Sequence, residues 1–168
     1  EGAARSAERL LDDPEAFATD LEAWHGGRDV IVLLGRGPAR AATELGALVL
    51  KESGVMAESL ESGLFRHGPF ELAGPNMSAI VMATEPETRR LDLGLAADLA
   101  DAGSAGMVVT PDGEAPKGAR PVATGYLDRA LMSAVAVIPT QLLAWRLAGA
   151  RGRTPGAYTR ASKVTTRE

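Results

Sequence analysis

The chain has 168 residues, a formal net charge of −4 and no cysteine. Its hydrophobic fraction of 45% is sufficient for one domain whose core needs no disulfide or metal. The acidic charge and the scattered arginines exclude a typical nucleic-acid groove, so we expect no nucleic-acid partner. The lack of cysteine excludes thiolate chemistry and fits a cytoplasmic protein.

The sequence contains no indication of a membrane protein. Its first residues carry charges and lack the apolar run of a signal peptide. The most apolar stretch, 127–147, includes Asp128, Arg129 and Arg146, which are unfavourable in a membrane span. We therefore predict a buried helix there, kinked at Pro139, and no membrane partner.

Helical and strand patterns alternate along the chain. Residues 1–27 predict a helical lead-in that is interrupted at Asp13-Pro14. The continuous apolar run at 30–34 is typical of a parallel strand buried on both faces. After Gly35-Arg36-Gly37, a helix is predicted to begin at Pro38 and to end near Ser53.

The second half of the pattern continues in the same way. Thr84 and Glu87 have the spacing of a capping box, which predicts a helix from there to about Ala102. This alternation predicts an α/β fold with helices on both faces of an open, mostly parallel sheet, with the main domain at 28–154 and a tail at 155–168. The further predicted strands cover residues 57–61, 79–83, 106–110 and 121–124.

Glu52 is the first candidate catalytic residue. It shares one stripe of the predicted helix with three apolar residues at spacings of four, three and four, namely Ala41, Leu45 and Leu48. We interpret Glu52 as turned toward the interior, where a carboxylate that has lost hydration carries protons well near neutral pH. The alternative is an exposed glutamate that pairs with Lys51.

His67 and Lys163 are the other two candidates. His67 lies in a loop beside Gly68, and loops on a rigid scaffold often present reactive groups. The Lys163 amine could attack a sugar carbonyl if the tail folds over a pocket. The alternatives are an exposed loop histidine and an exposed tail lysine. His25 is interpreted as structural, and two isolated histidines predict no metal site.

The turn Gly35-Arg36-Gly37 is the candidate substrate-binding segment. It follows a strand and opens a helix, where backbone N–H groups and the helix dipole can hold an anion. It is not a dinucleotide fingerprint, because Arg40 stands where the third glycine would be. A plain tight turn is the alternative.

Together these motifs resemble the SIS (sugar isomerase) domain family. They look most like the C-terminal SIS half of glucosamine-6-phosphate synthase and its isomerase and deaminase relatives, from about Arg28 to Glu168. The resemblance implies a three-layer αβα sandwich with a flavodoxin-like, five-stranded sheet. The motifs that carry it are Leu33-Leu34-Gly35-Arg36-Gly37, Gly46-Ala47-Leu48-Val49-Leu50-Lys51-Glu52, Glu58, Arg66-His67-Gly68-Pro69, Ile138-Pro139-Thr140-Gln141-Leu142-Leu143-Ala144 and Lys163-Val164-Thr165.

The resemblance also implies roles for the three candidates. The glutamate that matches Glu52 moves a proton between C1 and C2 of the sugar. The histidine that matches His67 assists ring opening, typically from a neighbouring subunit. The lysine that matches Lys163 forms an imine with the open-chain ketose. The implied partners are a hexose 6-phosphate or amino-sugar phosphate, a first SIS half and a second copy in a homodimer, and no cofactor is implied.

Two departures from the synthase pattern keep alternatives open. Leu45 and Val49 stand where the synthase carries a glutamate and a lysine, which favours a deaminase or isomerase relative. The S-x-S-G-x-T phosphate loop of the first SIS half does not occur in the sequence. The chain is therefore interpreted as part of a sugar-phosphate enzyme or, alternatively, as a non-catalytic regulatory or dimerisation module that binds sugar phosphates.

Overall fold

Strands and helices alternate in a computed structural model that describes residues 2–157 and Arg160. The strands are β1 (Val30–Gly35), β2 (Ala57–Glu61), β3 (Met77–Met82), β4 (Ala105–Thr110) and β5 (Ala119–Ala123). The helices are α1 (Gly2–Leu10), α2 (Pro14–His25), α3 (Arg40–Glu52), α4 (Ser62–Phe65), α5 (Arg89–Asp101), α6 (Arg129–Ala136) and α7 (Ile138–Ala150). The strands form one parallel sheet in the order β2-β1-β3-β4-β5, which confirms the predicted fold class.

The sheet separates two hydrophobic cores. Successive residues of a strand point to opposite faces, so Leu33 and Leu34 of β1 enter different cores. On the first face, Leu143 of α7 packs in the core that also includes residues of α2 and α3. On the second face, Phe65 of α4 and Leu95 of α5 are buried. Burial on both faces explains the continuous apolar runs of β1, β3 and β4.

The prediction of a capping box at Thr84 is wrong. Helix α5 begins at Arg89, and Thr84 and Glu85 are buried in the segment that follows β3. Because Pro86 disfavours the helical conformation of the residue before it, Glu85 does not enter a helix. Thr88 precedes the helix instead.

The predicted long helix from Leu127 is divided into α6 and α7. The break lies at Val137, close before Pro139, whose ring and missing N–H disrupt a continuing helix. Within the described residues, the segment 129–150 is long and apolar enough to cross a membrane by length and composition alone. Half of it is buried inside the fold, as core helices often are.

Helix α2 contributes to the same core as the sheet. Its Ala18 and Leu21 are fully buried, and Arg146 of α7 pairs with Glu22 at 2.7 Å between Nε and Oε2. The predicted domain boundary at residue 28 stays a prediction. Strand β5 carries Pro121, which is tolerated because β5 lies at the edge of the sheet.

His25, the last residue of α2, is fully buried. Its Nδ1 lies 2.9 Å from Ser78 Oγ at the start of β3. Burial lowers the pKa of His25 below its ordinary value of 6.5, and the positive charges of Arg151 and Arg28 lower it further, against a smaller opposing effect of Glu22. The folded state therefore favours the neutral imidazole.

The chain is expected to lose stability as the pH falls below about 6.5, because the unfolded imidazole then binds a proton that the folded one resists. Urea unfolding at about pH 7.5 and about pH 5.5 measures this loss. The His25→Gln variant should lose less stability between these values than the wild type. Equal losses in the wild type and in His25→Gln would contradict the prediction.

Candidate functional site

Glu52 is the last residue of α3 and is exposed, which corrects the prediction that it faces the interior. On the same stripe, Leu45 and Leu48 are 43% and 51% exposed. The helix packs through a face of small residues instead, because a Cβ added at Gly46 would lie only 2.6 Å from Leu33 Cδ2. The buried residues of α3 are Ala42, Thr43, Gly46, Ala47 and Leu50.

The Glu52 carboxylate borders a groove between α3 and α7. The groove has a volume of about 260 Å³, and Trp145 and Gln141 of α7 form the opposite wall. The segment 153–157, which follows α7, closes one end. Trp145 is 43% exposed, so an aromatic surface and a carboxylate face solvent together. An exposed carboxylate in such a groove can accept a proton from a bound molecule.

His67 follows α4, which packs on the opposite face of the sheet from α3. It is exposed in the turn after α4, and its backbone N–H donates to the Leu64 carbonyl at 3.0 Å. The neighbouring Phe65 is buried in the core of the second face, whereas α3 packs on the first. The sheet therefore separates the elements that carry Glu52 and His67. Lys163, the third candidate, lies outside the described residues.

Arg36 is held by two carboxylates at the end of β1. Its Nε lies 3.1 Å from Asp92 Oδ1, and its Nη1 lies 3.2 Å from Glu61 Oε1. Burial raises the pKa of Asp92, an effect that hydrogen bonding by Ser62 and the charge of Arg36 oppose. Burial would also raise the pKa of Glu61, but the N–H groups of Gly63 and Leu64 and the Arg36 guanidinium lower it overall.

The two glycines that flank Arg36 serve the turn into α3. Gly37 has a φ of +52°, which L side chains rarely adopt. A Cβ added at Gly35 would lie 3.1 Å from Thr43 Cγ2, so the glycine allows the helix to approach the strand closely. These contacts agree with the alternative interpretation of Gly35-Arg36-Gly37, a plain tight turn. The role of Gly35, Arg36 and Gly37 in substrate binding stays a prediction.

A second, acidic cleft of about 190 Å³ lies beyond the ends of β3 and β4. The Glu85 carboxylate is buried there, with Oε2 2.6 Å from Arg129 Nη2. Arg89 pairs with Asp112, and it also pairs with Glu114 at 2.8 Å between Nη2 and Oε2. Hydrogen bonds from Arg89, from the Glu114 backbone N–H and from Tyr126 lower the pKa of Asp112 to about 2. Sequence reasoning missed this cleft, and the one available signal was the polar segment 84–87 after an apolar strand.

Residues 2–157 and Arg160 contain no group of three or more His, Asp or Glu side chains that could hold a metal ion. In the charged set around Arg36, the cation is the arginine itself. The acidic cleft likewise balances its carboxylates with Arg89 and Arg129. The chemistry available at the described sites is therefore that of carboxylates, arginines and one exposed imidazole.

The chain is similar in sequence to enzymes of amino-sugar phosphate metabolism. It is 33% identical over 162 residues to AgaS of Streptomyces coelicolor, named as a candidate D-galactosamine-6-phosphate deaminase, and the match covers 90% of this chain and 42% of that protein. It is 30% identical over 153 residues to the glutamine–fructose-6-phosphate aminotransferase (isomerizing) of Thermus thermophilus, covering 89% of this chain and 25% of that protein. No protein-family model matches the chain.

Solved structures show the same fold at lower sequence identity. The tagatose-6-phosphate ketose/aldose isomerase of Escherichia coli superposes with a TM-score of 0.75 at 22% identity, covering 97% of this chain and 47% of that one. The C-terminal domain of the glucosamine-fructose-6-phosphate aminotransferase of Francisella tularensis gives a TM-score of 0.72 at 22% identity, covering 90% of this chain and 44% of that one.

These relatives and structural neighbours are SIS-domain proteins, and the chain has their fold. The predicted resemblance to the C-terminal domain of the glucosamine-6-phosphate-forming aminotransferases is confirmed. The chain spans less than half the length of the curated relatives that it matches, 42% of the Streptomyces protein and 25% of the Thermus protein.

Proposed function

We propose that the chain is a phosphosugar-binding SIS domain of the cytoplasm. In this proposal it acts as the C-terminal half of a double-SIS isomerase or deaminase for an amino-sugar or ketose 6-phosphate. The observation that carries the proposal is the exposed Glu52 carboxylate at the groove between α3 and α7. The similarity to enzymes that are named for such sugar phosphates supports it.

In the proposed mechanism, Glu52 moves the proton and Lys163 holds the substrate. The Lys163 amine adds to the carbonyl of the open-chain sugar and water leaves, which gives an imine that acidifies the adjacent C–H bond. Glu52 then transfers the proton between C1 and C2 through a cis-enolamine. Lys163 follows Ala157 by six residues, and an extended segment of that length spans at most about 20 Å. Because Ala157 borders the groove, this length suffices to reach Glu52.

A site of this kind draws on more than one domain. The sheet separates Glu52 from His67 within one chain, so we assign ring opening to His67 of a second copy in a homodimer. The exposed Leu45 and Leu48 beside Glu52 offer an apolar surface to a first SIS half. That half would also hold the phosphate, because this sequence lacks the S-x-S-G-x-T loop.

The second candidate is a non-catalytic module that binds sugar phosphates or forms a dimer. Val49 favours it, because the synthase pattern has a lysine at this position. The absence of the S-x-S-G-x-T phosphate loop from this sequence favours it as well. Such a module would bind its ligand without changing it.

A combined binding and turnover assay separates the two candidates. Because the proposed phosphate site lies in the first SIS half, the chain is combined with that half and incubated with fructose 6-phosphate and with galactosamine 6-phosphate, with the unphosphorylated sugars as controls. Isomerised product or released ammonia would support the enzyme. A raised thermal midpoint without product would support the module, and saturation at about 100 times Kd should add about 2.7 kcal/mol of stability. Neither turnover nor stabilisation would overturn both proposals.

A further inference from the structure

We propose that Arg36 is a positioning residue that fixes the turn carrying His67. Its guanidinium connects three segments that are distant in the sequence. It extends from the end of β1 to Glu61 at the end of β2 and to Asp92 in the first turn of α5. We call this set of three side chains the Arg36 clamp.

The partners of Arg36 show why its charge is committed to the fold. The Asp92 side chain is 0% exposed, and Arg36 Nε lies 3.1 Å from its Oδ1. A buried carboxylate that loses its cation is strongly destabilising, because its charge is then uncompensated. Arg36 itself is only 17% exposed, and its Nη1 is engaged by Glu61. The Nε and Nη1 donors of Arg36 are therefore engaged by carboxylates of the fold.

The clamp is connected to His67 by a short series of hydrogen bonds. Glu61 accepts from Arg36 through Oε1, and through Oε2 it accepts from the Leu64 backbone N–H at 2.8 Å. Glu61 is thus the N-cap of α4, the single helical turn before His67. The Leu64 carbonyl in turn accepts the His67 N–H at 3.0 Å. Movement of Glu61 would therefore be transmitted to the backbone of His67.

Two further contacts hold this turn against α5 and the second core. Phe65 is fully buried there, and its ring lies 6.0 Å from that of Phe70 in an edge-to-face arrangement. Arg66 Nη2 lies 2.7 Å from Asp98 Oδ2, but both side chains are well exposed, so this pair contributes little. Among the ion pairs described here, only those of the clamp connect the turn before His67 to a buried carboxylate, that of Asp92.

Gly63 gives the clamp the space that it occupies. A Cβ at this position would lie 2.9 Å from Glu61 Oε2 and 3.0 Å from Arg36 Nη1. Both are the ends of flexible side chains, so the Gly63→Ala variant can fold if the ion pair moves. Alanine is also the better helix former. This substitution therefore tests the clamp while it leaves the buried core in place.

Imidazole signals in NMR spectra report on the clamp directly, because the chain has two histidines. The variants Arg36→Lys, Asp92→Asn and Gly63→Ala are each compared with the wild type, and His67→Gln assigns the signals. Lysine keeps the charge but lacks the planar fork that can join two carboxylates. Gly94→Ala is the control, since a Cβ there would meet nothing within 4 Å.

We expect the three clamp variants to shift or broaden the His67 signals and to raise the mobility of backbone amides at 62–68. The buried His25 should be unaffected, and Gly94→Ala should match the wild type. Gly63 is close to His67 in the sequence and could shift its signals through a local effect, whereas Arg36 and Asp92 are remote and can act only through the clamp. A shift in Gly63→Ala alone would therefore overturn the proposal. Unchanged His67 signals in Arg36→Lys, whether or not its thermal midpoint falls, would overturn it as well.

Kinetics provide a second readout, which rests on the proposed function. In a protein that turns over a sugar 6-phosphate, Arg36→Lys should lower kcat at least tenfold and leave KM within about twofold. A raised KM with unchanged kcat would show instead that Arg36 binds the phosphate, and would overturn the positioning role. The NMR experiment does not depend on turnover, so failure of the clamp and failure of the proposed enzyme are distinguishable.

Discussion

The Glu52→Gln variant is expected to lose turnover while its fold remains intact. Glutamine has nearly the same shape but cannot accept the substrate proton, and loss of a general base typically costs about 10²–10⁴-fold in kcat. Because Glu52 is exposed at the end of α3, the free energy of unfolding should change by less than about 0.5 kcal/mol. Steady-state kinetics with a hexose 6-phosphate and urea unfolding measure the two effects.

Glu44→Gln is the matched control for this experiment. Glu44 is an exposed glutamate on the same helix, paired with Arg40 at 2.6 Å between Oε1 and Nη2. Exposed pairs of this kind contribute about 0.3–0.5 kcal/mol, so the control should keep both its fold and its turnover. If Glu52→Gln retained the wild-type kcat, the catalytic role of Glu52 would be refuted, and the binding module would become the better proposal.

The Phe65→Ala variant is expected to destabilise the chain by about 3–5 kcal/mol. The Phe65 ring is fully buried in the second core, and its removal leaves a cavity beneath the turn that carries His67. A loss of this size is a large part of the stability of a typical domain, so a lower thermal midpoint should be evident. Chemical denaturation at neutral pH gives the free energy directly.

Leu64→Ala tests whether this effect belongs to the core. Leu64 is the preceding residue of the same helical turn, but its side chain is 57% exposed. We therefore expect a change below about 0.5 kcal/mol. Comparable losses in both variants would indicate that the turn as a whole, and not the buried ring, determines the stability of this region.

The strands were predictable because their physical signal is local. Burial of β1, β3 and β4 on both faces requires uninterrupted apolar residues, and such runs are visible in the sequence. The start of α5 was predicted wrongly, since the spacing of Thr84 and Glu87 fits a cap but Pro86 keeps the preceding residue out of the helix.

The orientation of α3 was not predictable from periodicity. One face carries Leu45 and Leu48, and the other carries Gly46 and Ala47, so both faces are apolar. The core selects the smaller residues, because they allow the helix to approach Leu33 and α7 closely. The hydrophobic stripe that carries Glu52 is therefore exposed, which the spacing alone could not indicate.

The sequence could suggest individual candidate residues of the site, but not the contacts between residues that are distant in the chain. Glu52 and His67 were identified as candidates from their own motifs, and these assignments stay predictions. The Arg36 clamp was missed, because Arg36 and Asp92 are separated by 56 positions and pair only through the strand order. The same strand order places the helices that carry Glu52 and His67 on different faces of the sheet. The spacing of these residues in the sequence does not predict this separation.

The buried Glu85 has a consequence for how the proposed enzyme would diversify. It engages Arg129 together with Glu87, and Arg89 beside it is engaged by Glu114, so a phosphate in the cleft after β3 would have to compete with carboxylates for both arginines. In the proposed enzyme, the first SIS half would then determine most of the affinity for the substrate, and this chain would determine the rate of proton transfer. Mutations in one half could change the preferred sugar phosphate without altering the proton-transfer groups, so the two properties could evolve independently.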